Sequence, residues 1–200
     1  MLLFVALGVD YAAAVTHTAD LSHVSGGSSM PHLPPLGTDE ATLDARGALE
    51  ALEARLGQVP NMYRTFAHAP KVLAAAVAMA QAVRSDLPAK VRELAYLKIV
   101  QLTDCHVCRH YHEALGRKAG LTEEQIRDLD RFEASDAYSE AERDVLRFAE
   151  QWSADGRVSE DVLDRLKRLL SHEHLVILAA TVAQANFTTR FNNVFGVELP

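Results

Sequence analysis

From residue 39 onward, apolar positions recur with a helical period, and no segment alternates in strand fashion over six residues. Leu43, Ala48, Leu49, Leu52 and Leu56 share one face of Thr42–Leu56, and Gly57 closes that segment. Val59-Pro-Asn-Met-Tyr-Arg-Thr-Phe66 reads as a break followed by a short helical or irregular piece. Pro70 opens a helix through Lys71–Arg84. Ser85-Asp-Leu-Pro88 signals another start, with Pro88 in the first turn of a helix running to about Thr103. Thr103 or Asp104 is placed to cap a helix from Cys105 to Ala119, which Gly120 ends. Thr122 and Gln125 stand in capping-box register. Ala141, Val145, Phe148 and Trp152 form an apolar stripe on Ser139–Ser153. Ser159–Leu170 and the mostly apolar Glu173–Phe191 follow. The pattern predicts an all-α fold, a single helical domain of seven to nine helices without internal repeats.

Residues 1–29 differ in kind. They hold no Lys or Arg, and Asp10 and Asp20 are their only charges. The apolar run Leu2–Val9 lacks the basic flank of an export signal. This stretch reads as a disordered or mis-started leader, with the folded domain at 30–200. Lys plus Arg is 20 against 27 Asp plus Glu, a net charge of −7. That balance, without a long basic run, argues against a nucleic-acid partner. No apolar stretch reaches membrane-spanning length, so no membrane partner is expected either. The expected compartment is the cytoplasm. Two cysteines exclude a disulfide-rich scaffold. No phosphate loop, dinucleotide fingerprint or Ser-His-Asp ordering is present, and no cofactor is expected.

The chemistry concentrates in Cys105-His-Val-Cys108-Arg-His-Tyr-His112. With Cys105 at 0° on a helix, Cys108 falls at about 300° and His112 at about 340°. The three therefore share a narrow face, while His106 and His110 project elsewhere. A cysteine in the first helical turn feels the positive end of the helix dipole, which favours the thiolate. A thiolate attacks a peroxide to give a sulfenic acid, and a neighbouring thiol condenses with it to a disulfide. An external dithiol then restores the pair by exchange. Two other uses fit the same residues. The pair is a static disulfide, or the Cys-Cys-His set binds zinc, although the spacing lacks an obvious fourth ligand.

Glu93 lies twelve residues before Cys105. With Leu97, Val100 and Asp104 it follows helical spacing, so it leans inward beside apolar residues. A carboxylate there needs a partner, and the candidates are His112 on the next helix or a surface cation such as Lys90. A Glu93–His112–thiol chain is a proton relay of the type nucleophilic cysteines use.

Glu93-x₁₁-Cys105-x₂-Cys108-x₃-His112 resembles the signature of the alkylhydroperoxidase D-like branch of the carboxymuconolactone decarboxylase family. The flanks Leu87–Leu94 and Ala114–Leu121, the segment Val59–Arg64 and the tail Asn186–Val197 are similar as well, so the likeness covers roughly 30–200. It implies an all-helical fold assembled as homotrimers or homohexamers. It implies thiol peroxidase activity without haem or flavin, with a hydroperoxide substrate and a dithiol or protein reductant. On this resemblance Cys108 is the peroxidatic thiol, Cys105 the resolving one, and Glu93 and His112 the relay. The best-studied type carries a histidine just before the second cysteine. This chain has Val107 there and His106 one position earlier, about 100° away on a helix. The decarboxylase branch lacks the CxxC pair, so lactone decarboxylation is not implied. A redox-sensing or disulfide-exchange role, or a metal-binding or structural oligomer, is the alternative.

Tyr96, Tyr111 and Phe66 are candidates to line a substrate channel or to fill core. His172 and His174 read as surface residues near a helix start. Asn186, Arg190, Asn192 and Asn193 form a polar cluster at the end of an apolar helix, suited to a subunit interface or a helix cap.

Overall fold

A computed structural model describes residues 31–200; the leader read at 1–29 lies outside the described residues. Among the described residues the chain forms nine helices and no strand. They are α1 (Leu43–Leu56), α2 (Asn61–Phe66), α3 (Pro70–Ala82), α4 (Ala89–Thr103), α5 (His106–Lys118), α6 (Glu123–Arg127), α7 (Glu140–Asp155), α8 (Glu160–Leu169) and α9 (His172–Phe195). Thr122 and Gln125 make the expected capping box, and Ser139 and Glu142 make a second.

Two helix starts differ from the sequence reading. Pro88 is the N-cap of α4 rather than part of its first turn. Cys105 is itself the N-cap of α5, its sulfur accepting the Cys108 backbone N–H at 3.3 Å. Asp104 instead ends α4 in the left-handed region, φ 49°. Asp tolerates that conformation better than a bulky residue because its short polar side chain bonds locally. The CxxC pair thus straddles a helix start, and the narrow face predicted for three helical residues holds only for Cys108 and His112.

α4 is the central element. Every residue from Glu93 to Val100 is buried, because α5, α7 and α9 pack around it. A helix covered on all sides needs no apolar stripe, which is why its amphipathic signal is weak. Gly116 lets α5 approach closely, since a Cβ there would stand 2.9 Å from Leu121 Cδ1 and 3.1 Å from Leu97 Cδ1. A second core joins α1, α2 and α3 through Leu49, Leu52, Phe66 and Leu73. Phe66 stacks on Phe187 and packs against Phe191, tying that core to α9. Phe66 is therefore core.

Full burial of α4 has one expensive consequence, the Lys98 ammonium. Lys98 is 1% exposed, pairs with Glu150 at 2.8 Å, and donates to Leu129 O and Gln101 Oε1 at 3.1 Å each. Its nitrogen also lies 4.7 Å from the centre of the Phe132 ring. Replacing Lys98 alone removes the donor on which Leu129 O, Gln101 and Glu150 converge. Lys98→Met, which keeps the volume, is expected to cost about 1–3 kcal/mol of unfolding free energy through the unpaired Leu129 carbonyl, and Lys98→Ala about 2 kcal/mol more through the cavity it leaves. Urea denaturation of the two variants measures both.

Candidate active site around the cysteine pair

Cys105 and Cys108 are joined in a disulfide, with Cα atoms 5.3 Å apart. The two differ in outlook. Cys105 sits at 1% exposure beneath the start of α5, and Cys108 at 4% contributes to the wall of a cavity of about 720 Å³. The cavity is also lined by Met62, Tyr63, Tyr96, Tyr111 and Leu115, a mainly apolar and aromatic surface. Arg55 and Arg84 lie at the same cavity. Of the aromatic channel candidates, Tyr96 and Tyr111 line this space.

Glu93 and His112 meet. His112 Nδ1 lies 2.7 Å from Glu93 Oε2, across the α4–α5 contact. Arg92 holds the other carboxylate oxygen at 3.1 Å. Lys90, the surface cation considered for Glu93, pairs with Glu142 instead. The His112 ring lies flat on Tyr96, centroids 3.5 Å apart at 10°, and the Tyr96 hydroxyl is tied to Thr188 of α9. One face of the imidazole is therefore packed and one nitrogen is committed to Glu93. Nε2 is the nitrogen left for proton transfer, and His112 lines the cavity beside Cys108.

Burial pushes His112 below the ordinary imidazole range; the hydrogen bond and charge of Glu93 oppose this, and Arg84 and Arg92 reinforce it. Burial also works against the Glu93 carboxylate, but His112 and Arg92 outweigh it and hold Glu93 below the usual carboxylate range. At neutral pH the pair is then a carboxylate and a neutral imidazole whose Nδ1–H donates to Glu93.

The unfolded chain protonates His112 near its ordinary pKa of about 6.5, while the folded chain does not until a lower pH. The stability contributed by neutral His112 is complete above that value and declines as pH falls toward the folded pKa. The contribution of Glu93 has the same sign at lower pH, present above about 4.3 and lost as pH falls through its depressed value. The urea midpoint is expected to drop between about pH 7 and pH 5.5, and His112→Gln to flatten that slope. An equal slope in parent and variant would remove His112 from the account.

The remaining histidines stand apart. His106 and His110 are exposed on α5, so His106 does not take the place that Val107 occupies against the cavity. His172 is exposed and His174 half-buried at the start of α9. Among the described residues no three His, Cys, Asp or Glu side chains converge as a metal site.

The C-terminal polar cluster divides. Asn186 Oδ1 accepts from Ser153 at 2.7 Å and from Arg190. Asn193 Nδ2 donates to Thr103 O at 2.7 Å, pinning α9 to the end of α4. Asn192 turns inward, and its Nδ2 lies 3.2 Å from Cys108 Sγ and 3.9 Å from Cys105 Sγ. Sequence reasoning placed Asn192 at an interface or a cap and missed this contact. The signal was present in the α9 period, because Leu178, Val182, Ala185, Thr189 and Asn192 form its buried stripe.

Residues 70–151 match the carboxymuconolactone decarboxylase family. An uncharacterized Bacillus subtilis (strain 168) protein, YdfG, is 27% identical over 115 residues, 56% of this chain and 78% of its own length. Two solved structures share the fold. One is an uncharacterized peroxidase-related protein from Ralstonia eutropha JMP134 with an alkylhydroperoxidase AhpD core (TM-score 0.73, 21% identity, 87% of this chain and 94% of that one). The other is a cysteine-to-alanine variant of the debrominase Bmp8 in complex with 2,3,4-tribromopyrrole (TM-score 0.70, 21% identity, 84% and 91% covered).

Proposed function

We infer that this chain, whose residues 70–151 match the carboxymuconolactone decarboxylase family and whose fold is AhpD-like, is a thiol-dependent peroxidase. The observation that carries this reading is a redox pair whose Cys108 opens on the cavity that His112 also lines, with His112 held by buried Glu93.

In the reduced protein His112 Nε2 takes the Cys108 proton. The thiolate attacks the terminal oxygen of a hydroperoxide, the O–O bond breaks, and Cys108 becomes a sulfenic acid. The alkoxide leaves as an alcohol after receiving the proton from His112. Cys105 then attacks the sulfenic sulfur, and its proton with the departing hydroxide makes water. The disulfide is the oxidised state, and an external dithiol reduces it by exchange. Cys108 is the peroxidatic thiol because it faces the cavity, and Cys105 the resolving one because it lies beneath. The size and apolar lining of the cavity favour an organic hydroperoxide over hydrogen peroxide. A cytoplasmic setting supplies the reducing partner such a cycle requires.

The test is dithiol-dependent loss of cumene hydroperoxide, with hydrogen peroxide compared. Loss of the organic substrate at several turnovers per protein supports the reading. No loss, with a pair that still cycles between dithiol and disulfide, would redirect it to disulfide exchange with a protein. The tyrosine walls also suit a flat organic ligand, so bromide release from 2,3,4-tribromopyrrole is the comparison reaction. Bromide release without peroxide loss would redirect it to dehalogenation.

A further inference from the structure

Asn192 is 4% exposed, its Nδ2 points at the Cys108 sulfur, and its Oδ1 is the one buried side-chain oxygen or nitrogen without a hydrogen-bond partner among the described residues. A buried amide oxygen left unpaired costs about 1–3 kcal/mol, so such an atom calls for an explanation. Asn192 also lines the cavity that holds Cys108. Its backbone is fixed independently of its side chain, because Asn192 O accepts the Val197 N–H at 2.9 Å as α9 ends. Neighbouring Asn193 anchors the same turn on Thr103.

We propose that Asn192 is a catalytic residue of this site: its amide N–H stabilises the Cys108 thiolate, and its Oδ1 accepts the hydrogen of the substrate's O–O–H group. This deepens the peroxidase reading and rests on it for the second contact only. A neutral amide suits the position because it donates to sulfur and accepts from oxygen without adding charge beside the nucleophile. The N–H favours the charged sulfur over the neutral thiol, as a donor to any anion does. Accepting the terminal O–H selects a protonated hydroperoxide and holds the terminal oxygen near the sulfur. In the attack, the S–O bond forms as the O–O bond breaks. The terminal oxygen keeps its hydrogen on Cys108, and the alkoxide takes the proton held by His112. Asn192 ends the step unchanged.

The titratable and charged groups that α9 does not supply are His112 and Tyr111 of α5, Glu93 and Tyr96 of α4, Tyr63 of α2, and Arg55 and Arg84 at the cavity. α9 itself brings to the cavity only Asn192. Removing Asn192 therefore leaves those groups in place.

The experiment has two readouts on the full-length protein. In the first, reduced protein is alkylated with iodoacetamide between about pH 5 and pH 10, and modification of Cys108 is followed by peptide mass mapping. Asn192→Ala is expected to raise the alkylation midpoint by about one pH unit, an about tenfold slower reaction at neutral pH. Asn192→Asp keeps the side-chain shape, removes the donor, and is expected to raise it further. It serves where Asn192→Ala does not fold, as judged by helical circular dichroism. Midpoints equal to the parent's in a folded variant would overturn the thiolate contact.

In the second, kcat/KM for cumene hydroperoxide is compared at a pH above both midpoints. There every Cys108 is a thiolate, and the more basic sulfur of Asn192→Ala is intrinsically the better nucleophile. An about tenfold deficit at that pH is the expected mark of the lost Oδ1 contact. Equal or faster turnover would overturn that contact. If the parent consumes no peroxide, the peroxidase reading and the Oδ1 role fail together, while the alkylation midpoints still decide the thiolate contact.

Discussion

Cys108→Ser is expected to lower dithiol-dependent hydroperoxide consumption by about three orders of magnitude or more, to the uncatalysed background. Serine has nearly the same shape, so the apolar core contacts of Cys108 and the start of α5 persist. Its hydroxyl ionises far above neutral pH, and no oxygen in that place can be carried through the sulfenic and disulfide states. Cys105→Ser separates the two sulfurs. That variant is expected to react once, leaving a sulfenic acid on Cys108 that dimedone traps and mass spectrometry locates. Its oxidised product has no partner thiol, so turnover stops after the first equivalent. Multiple turnover in Cys108→Ser, or a dimedone adduct on Cys105 in that variant, would reverse the roles of the two cysteines.

Glu93→Gln is expected to lower kcat/KM by about 10²-fold and to cost about 1–3 kcal/mol of unfolding free energy, because its amide nitrogen faces the Arg92 donor while the fold is kept. Glu93 is 1% exposed, and its two oxygens are engaged by His112 and Arg92. Glutamine preserves the volume and still offers an oxygen to the His112 Nδ1–H. What it lacks is the charge that stabilises His112 once the imidazole holds the thiol proton. Loss of that charge also lets burial depress His112 further, so the base weakens. The deficit should narrow as pH rises and the thiol ionises without help. A pH-independent deficit points instead to displaced geometry, and unchanged kinetics would remove Glu93 from the mechanism.

The contact between Glu93 and His112 was readable as a candidate because Glu93 lies on a helical stripe with Leu97 and Val100, and His112 lies one turn after Cys108 on the same face. Local spacing carries such information, since both relations lie within single helices. Helix ends were readable at Gly57, Pro70, Thr122 and Ser139, each of which punctuates the backbone by its own stereochemistry. The cap of α5 was misplaced by one or two positions. Nothing in the local pattern says that a cysteine sulfur takes the N-cap and that Asp104 turns left-handed before it.

The sequence by itself determined an all-helical chain and a CxxC pair at a helix start, and it offered His112 or Lys90 as the partner of Glu93. Tertiary structure alone decided which sulfur faces the cavity, that Arg92 shares Glu93 with His112, that Tyr96 backs the imidazole, and that Asn192 reaches Cys108 from 84 residues away. The reason is physical. Helix period and capping are set by interactions within a few residues, whereas the neighbours of the sulfur depend on how α4, α5 and α9 pack, and packing joins residues that no sequence period connects.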